Sequence, residues 1–125
     1  MKKKKRKKNS TKEELFKAIL NDRVLRQSLV RKSFQHFFPS YFHKYMEYET
    51  APFHKEIFEI LEDEKIKLAV FCAFRGSAKS TIITTAFVLW SILGVQQRKF
   101  IIICGQTEQK SRQYLMNIKE QLMHN

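Results

Sequence analysis

Apolar residues along this chain recur in two rhythms. Between residues 10 and 64 they fall mostly at helical spacing, whereas 68–72 and 100–104 are short continuous apolar runs. Ser10 with Glu13, and Thr11 with Glu14, fit the reciprocal capping pattern that opens a helix. That helix should run to about Leu20, with Leu15, Phe16 and Ile19 inward, before Asn21 and Asp22 break or recap it. Val30, Phe34, Phe37 and Phe38 then lie on one helical face, and Pro39 is expected to end that helix. The aromatic cluster from Tyr41 to Tyr48 reads as helical or irregular. It suits core or interface packing, with stacking on a nucleic-acid base as the alternative. Pro52 suits the first turn of a further helix, with Phe53, Ile57, Ile60 and Leu61 on one face. Glu59, Glu62, Asp63 and Glu64 are expected to be solvated.

The second half reads differently. Residues 67–74 predict a strand and 80–93 a helix that is apolar nearly all round, expected to be buried on more than one side and terminated by Gly94. Residues 98–104 have the continuous apolar character of a strand covered on both faces. A turn at 105–107 then leads into an amphipathic helix ending near Met123, with Leu115, Ile118 and Leu122 inward. The order β-loop-α-β-α predicts the opening of an α/β domain with a parallel sheet, preceded by a helical segment. The corresponding division is a basic tail at 1–9, a helical segment at 10–64 and the start of an α/β core at 65–125.

The join between the first predicted strand and its helix carries the chemistry. It reads Ala73-Phe74-Arg75-Gly76-Ser77-Ala78-Lys79-Ser80-Thr81. A glycine-containing loop opening a helix with Lys-Ser can wrap phosphate in backbone N–H groups, and the helix N-terminus adds a favourable partial charge. The fold class is therefore the N-terminal portion of a phosphate-loop NTPase. The general motif wants glycine at 73 and 78, where this chain has alanine. An alanine forced into a left-handed conformation costs roughly 1–2 kcal/mol.

In this reading the N–H groups of Gly76, Ser77, Ala78 and Lys79 cradle the phosphates. The Lys79 ammonium lies against the β- and γ-phosphates, and the Ser80 hydroxyl contacts Mg²⁺. A lysine at the start of a helix opposes the helix dipole unless a polyanion binds there too. Arg75 could reach the γ-phosphate and stabilise charge during transfer, or could make a surface ion pair instead. Thr81 completes the ATP-binding stretch.

Charge adds a second clue. The formal net charge is +12, and seven of the positive charges lie in 2–8, leaving 17 basic and 12 acidic residues in 9–125. Such a tail either meets nucleic-acid phosphate or is a solvated, disordered terminus. It lacks the apolar stretch of a secretory signal, and the apolar segment 81–95 is short for a membrane span. Cys72 and Cys104 have no metal-ligand spacing and read as reduced, buried thiols.

Arg75-Gly76-Ser77-Ala78-Lys79-Ser80-Thr81 after an apolar run resembles the Walker A region of large terminase subunits, the ATP-driven motors that package viral DNA. The resemblance extends to 52–58, similar to the helix before the ATPase core in that family, and to 101–107 with Lys110-Ser111-Arg112. It covers about 34–125. It implies Lys79 and Arg75 as catalytic residues and ATP held by Arg75, Gly76, Ser77, Ala78, Lys79, Ser80 and Thr81. It also implies Mg²⁺ on Ser80 and Phe53 and His54 in the vicinity of the adenine. For His54 a packed or solvent-facing histidine is the alternative. Gln106 and Thr107 would fall where related ATPases place DNA-contacting or coupling residues, or Thr107 simply caps a helix.

The implied partners are double-stranded DNA, a small terminase subunit, a portal protein and further copies of the complete chain, with no membrane. The implied setting is a bacterial host cytoplasm, from a phage or prophage gene. Another nucleic-acid-directed phosphate-loop ATPase of helicase type, and a non-catalytic basic DNA-binding fragment, are the alternatives. No apolar run ending in Asp-Glu follows the loop, so the metal-organising and water-activating carboxylates of such an ATPase are missing. The chain is expected to be an N-terminal fragment or truncated product that does not turn over ATP on its own.

Overall fold

A computed structural model describes residues 17, 18, 21–45 and 50–124. Four of the expectations fall largely or wholly outside these residues: the basic tail at 1–9, the capping box at 10–14, the inward positions Leu15, Phe16 and Ile19, and the end of the aromatic cluster at 46–48.

The described residues form helices joined by irregular segments. Helix α1 is Arg23–Lys32 and α2 is Phe34–Tyr41. A 3₁₀ turn at His43–Tyr45 follows, and α3 is Pro52–Glu62. Helical winding resumes at Lys79, widens to a π-helix over Thr81–Phe87 and tightens into α4, Val88–Leu93. The wide turns coincide with Thr81-Ile82-Ile83-Thr84-Thr85, five β-branched residues that sit poorly in an α-helix. Helix α5 is Glu108–His124.

The predicted parallel sheet is not there. Among the described residues there is no β-strand, and the chain is helical rather than the start of an α/β sheet domain. Both apolar runs lack regular secondary structure, and neither pairs its backbone with the other. A short apolar run fits a strand, but a sheet also needs a neighbour to receive its N–H and C=O groups. The double burial expected of these runs fails with it. Phe71 and Ile103 pack against the core, while Leu68 is 85% exposed, Val70 80%, Phe100 80% and Ile102 71%. Cys72 and Cys104 lie on these segments and are exposed, not buried.

The core is helical and aromatic. Phe34 is fully buried, with the rings of Phe37, Phe38, Phe58, Phe87 and Trp90 centred 5.3–6.3 Å from its own. This ring set joins α2, α3 and the helix that follows the loop. Ile57, Ile82, Ala86, Leu89 and Ile118 extend the core around it.

Capping interactions define the joints between helices. Asp22 recaps the chain, its Oδ1 accepting from the N–H groups of Val24 and Leu25 at 2.9 and 3.1 Å. The helix predicted to reach Pro39 is broken earlier, at Ser33, and the second piece carries Pro39 inside it as far as Tyr41. Pro39 lacks the N–H that would bond the Gln35 carbonyl, so the helix passes it with one bond fewer and ends two residues later. Glu62 is not simply solvated. Its Oε1 accepts from the Ser33 hydroxyl at 2.9 Å and from the Gln35 N–H at 2.8 Å, placing a carboxylate at the start of α2.

At the other end of α1, the Trp90 indole N–H donates to the Val30 carbonyl at 2.9 Å, and the Val95 N–H to the Arg31 carbonyl at 3.0 Å. These bonds satisfy carbonyls that a helix end leaves without partners. Gly94 is required at this crossing. A Cβ there would lie 2.6 Å from the Trp90 carbonyl oxygen and 3.1 Å from that of Arg31. Along 81–91 every residue is buried or half-buried, and beyond them Ile92 and Leu93 are exposed. In α5, Ile118 is buried as expected, but Leu115 and Leu122 are about half exposed. Among the described residues, no helix is long and apolar enough to cross a membrane.

Replacing Trp90 with Phe keeps the ring and removes the donor, leaving the Val30 carbonyl buried and unpaired. Denaturant unfolding of Trp90→Phe should show a loss of about 1–3 kcal/mol. An unchanged midpoint would mean that the indole bond does not hold α1 to α4.

Candidate anion-binding loop

Residues 74–78 turn the chain from an irregular segment into the helix that starts at Lys79. The turn uses two left-handed residues around one ordinary one. Gly76 has φ +86° and Ala78 has φ +57°, with Ser77 buried between them. Gly76 takes this conformation without steric cost, and no atom lies within 4 Å of where its Cβ would be. Ala78 does not escape the cost that its methyl brings. It is held by its surroundings: its side chain packs partly buried against the core, and its carbonyl accepts from the Ile82 N–H at 2.9 Å.

The backbone donors of this corner lack partners. Among the described residues, none accepts from the N–H groups of Ala78, Lys79, Ser80 or Thr81. The first turn of any helix leaves such donors free, and here they follow directly on the left-handed pair. Successive N–H groups in this kind of turn form a concavity suited to an anion.

The cations stand beside it. Lys79 is half-buried and its ammonium donates to the Ala73 carbonyl at 3.4 Å, folded back over the loop. Arg75 is exposed. Among the described residues no carboxylate is held against either group. The loop therefore offers two cations and a row of free N–H donors with no acidic counterpart.

The structure also brings together residues that the sequence separates. Phe53 and His54 lie in the first turn of α3. The Phe53 ring is centred 5.6 Å from that of Phe74 and 4.0 Å from that of His54. His54 Nε2 lies 2.9 Å from the Ser77 carbonyl oxygen, so the ring donates into the middle of the loop. Phe53 and His54 are thus neighbours of the loop, and His54 is neither idle nor merely solvent-facing. The part of Phe74 and of the Ser77 carbonyl was not visible in the sequence, because it depends on a contact across 23 positions.

Ser80 and Thr81 enter the helix, Ser80 exposed and Thr81 half-buried. Ser80 supplies one hydroxyl oxygen, and among the described residues no group of three His, Cys, Asp or Glu side chains could hold a metal ion. A Mg²⁺ ion would fit here only as one carried by nucleotide phosphates and water, with Ser80 as a single protein ligand. Gln106 is exposed. Thr107 caps α5, its Oγ1 accepting from the Lys110 N–H at 3.2 Å.

A groove of about 430 Å³ lies elsewhere, lined by Gln27, Tyr41, Trp90, Leu93 and Gln121 among others. It shares no residue with the loop. The loop, with its cations and free donors, is the stronger candidate site for a charged ligand. No family model, curated protein or solved structure matches the chain.

The two left-handed positions should respond differently to substitution. Gly76→Ala should cost about 1–2 kcal/mol from backbone strain alone. Ala78→Gly relieves comparable strain but forfeits the methyl's packing, so it should change stability by less than about 1 kcal/mol. Thermal or denaturant unfolding of both variants checks this, and equal losses would contradict the geometry.

Proposed function

We propose that residues 74–81 bind the phosphates of a nucleoside triphosphate, and that the chain is the ATP-binding portion of a motor acting on double-stranded DNA. One observation carries the first part. The left-handed pair Gly76 and Ala78 leads straight into free N–H donors at a helix start that also bears Lys79. A cation placed against the positive end of a helix is disfavoured by itself, and a bound polyanion reverses that sign. In the bound state the Lys79 ammonium leaves the long contact with the Ala73 carbonyl for phosphate oxygens. Arg75, already exposed, reaches the outermost phosphate, and Ser80 meets the metal ion that the nucleotide brings.

The second part is supported by the resemblance of Arg75–Thr81 and its flanking segments to large terminase subunits. The net charge of +12 also suits a chain that works against a polyanion. In this reading the complete motor is a homo-oligomer of the ATPase chain, engages a small terminase subunit and a portal protein, and works in the cytoplasm of a bacterial host. Among the described residues no carboxylate is held against the loop's cations, so nucleotide binding is the activity to measure first.

Isothermal titration with a slowly hydrolysed ATP analogue and Mg²⁺ tests the proposal. The chain should bind, and Lys79→Ala should weaken binding roughly 10–100-fold, the range for losing a charge-assisted hydrogen bond. Undetectable binding, or equal affinity in the variant, would contradict it.

A further inference from the structure

We propose that His54 is the positioning residue of the loop: its Nε2–H, donated to the Ser77 carbonyl, fixes the peptide that joins Ser77 to Ala78. The proposal rests on the phosphate-binding reading only for its effect on ligand affinity. Its structural part stands on contacts already present.

The bond runs from the first turn of α3 to a buried residue of the loop, at 2.9 Å. The loop's own support is weaker. The Ser77 N–H reaches the Phe74 carbonyl at 3.4 Å, and the Lys79 ammonium reaches the Ala73 carbonyl at 3.4 Å. Geometry makes the position of this one carbonyl decisive. A trans peptide is planar, with its C=O and N–H pointing in opposite directions. Holding the Ser77 carbonyl on His54 therefore aims the Ala78 N–H away from α3. That N–H is the first in the row of donors without acceptors among the described residues.

The same peptide sits between the two left-handed residues, Gly76 and Ala78. A strained conformation persists where neighbours over-determine it. Here His54 restrains the carbonyl before Ala78, core packing restrains the Ala78 methyl, and Ile82 restrains the carbonyl after it. Phe53 adds a second hold from the same turn of α3 by packing on Phe74 at the loop entrance. Helix α3 is in turn fixed to the core through Ile57 and Phe58. His54 thus ties the loop to the aromatic core through a rigid element.

The bond also defines the ring's state. A carbonyl only accepts, so Nε2 must carry the proton. The tautomer with hydrogen on Nε2 is required whenever the ring is neutral.

Two variants separate the donor from the ring. His54→Phe keeps an aromatic ring beside Phe53 and removes the donor; His54→Gln keeps an N–H donor at similar reach. The readouts are backbone ¹⁵N order parameters for residues 76–80 without nucleotide, and titration with the ATP analogue. In the wild type these amides should be rigid, near 0.85. They should fall below about 0.6 in His54→Phe and recover in His54→Gln. Affinity should drop at least fivefold in His54→Phe and recover at least half of that loss in His54→Gln. Unchanged order parameters in His54→Phe, or equal loss in both variants, would overturn the proposal.

If the wild type fails to bind the analogue while the order parameters follow the prediction, His54 positions the loop and the phosphate reading is wrong. Should neither variant fold, imidazole ¹⁵N spectra of the wild type decide the matter. Hydrogen on Nε2 supports the bond, and a ring predominantly protonated on Nδ1 alone overturns it.

Discussion

The packing of five aromatic rings around Phe34 is the constraint on which the rest of this structure depends. Phe34 is the first residue of α2, and the rings that meet it come from α2 itself, from α3 and from the helix after the loop. Large aromatic surfaces buried together contribute both area and preferred ring geometry. Here they also set the distance between two elements that never touch in sequence. Residues 74–78 must bridge from one side of this cluster to the other. Their left-handed corner, buried Ser77 and bond to His54 are consequences of where the cluster puts α3 and the helix start.

The physical logic of the loop follows from this frame. A flexible segment bearing Lys79 and Arg75 could attract phosphate, but its backbone donors would have to be ordered at the moment of binding. In this fold the ordering is done beforehand. The cost of the Ala78 conformation is offset by core packing of its methyl and by bonds on either side of it. Preorganisation of this kind raises affinity by reducing what must be immobilised later. The departure from glycine at 78 is thus part of how the loop is attached, since glycine would have no side chain to pack.

The loop and the helical core were largely legible in the sequence. Val30, Phe34, Phe37 and Phe38 showed their shared face through spacing alone, and all four are buried. The order of Gly76, Lys79 and Ser80 identified the turn into a helix. What failed was anything that required a partner. Residues 67–74 and 98–104 read as strands because a short continuous apolar run is the pattern of a strand covered on both faces. Burial and pairing are tertiary facts, and these runs keep one face bare among the described residues. Cys72 and Cys104 were misjudged for the same reason, having been placed inside a sheet that does not form. Pro39 misled because a proline removes one bond to the preceding turn without stopping the helix, which ends two residues later. Glu62 and His54 looked ordinary because their roles depend on Gln35 and Ser77, far away in sequence.

The central claim is that the N–H row from Ala78 to Thr81 receives phosphate. An amide chemical-shift titration of the ¹⁵N-labelled chain with Mg–ATP tests it residue by residue. Large, saturable shifts should concentrate on Gly76 and Ala78–Thr81, with little change at Gln27, Trp90 or Gln121 in the separate groove. Shifts scattered over exposed lysines and arginines, or centred on that groove, would contradict the account.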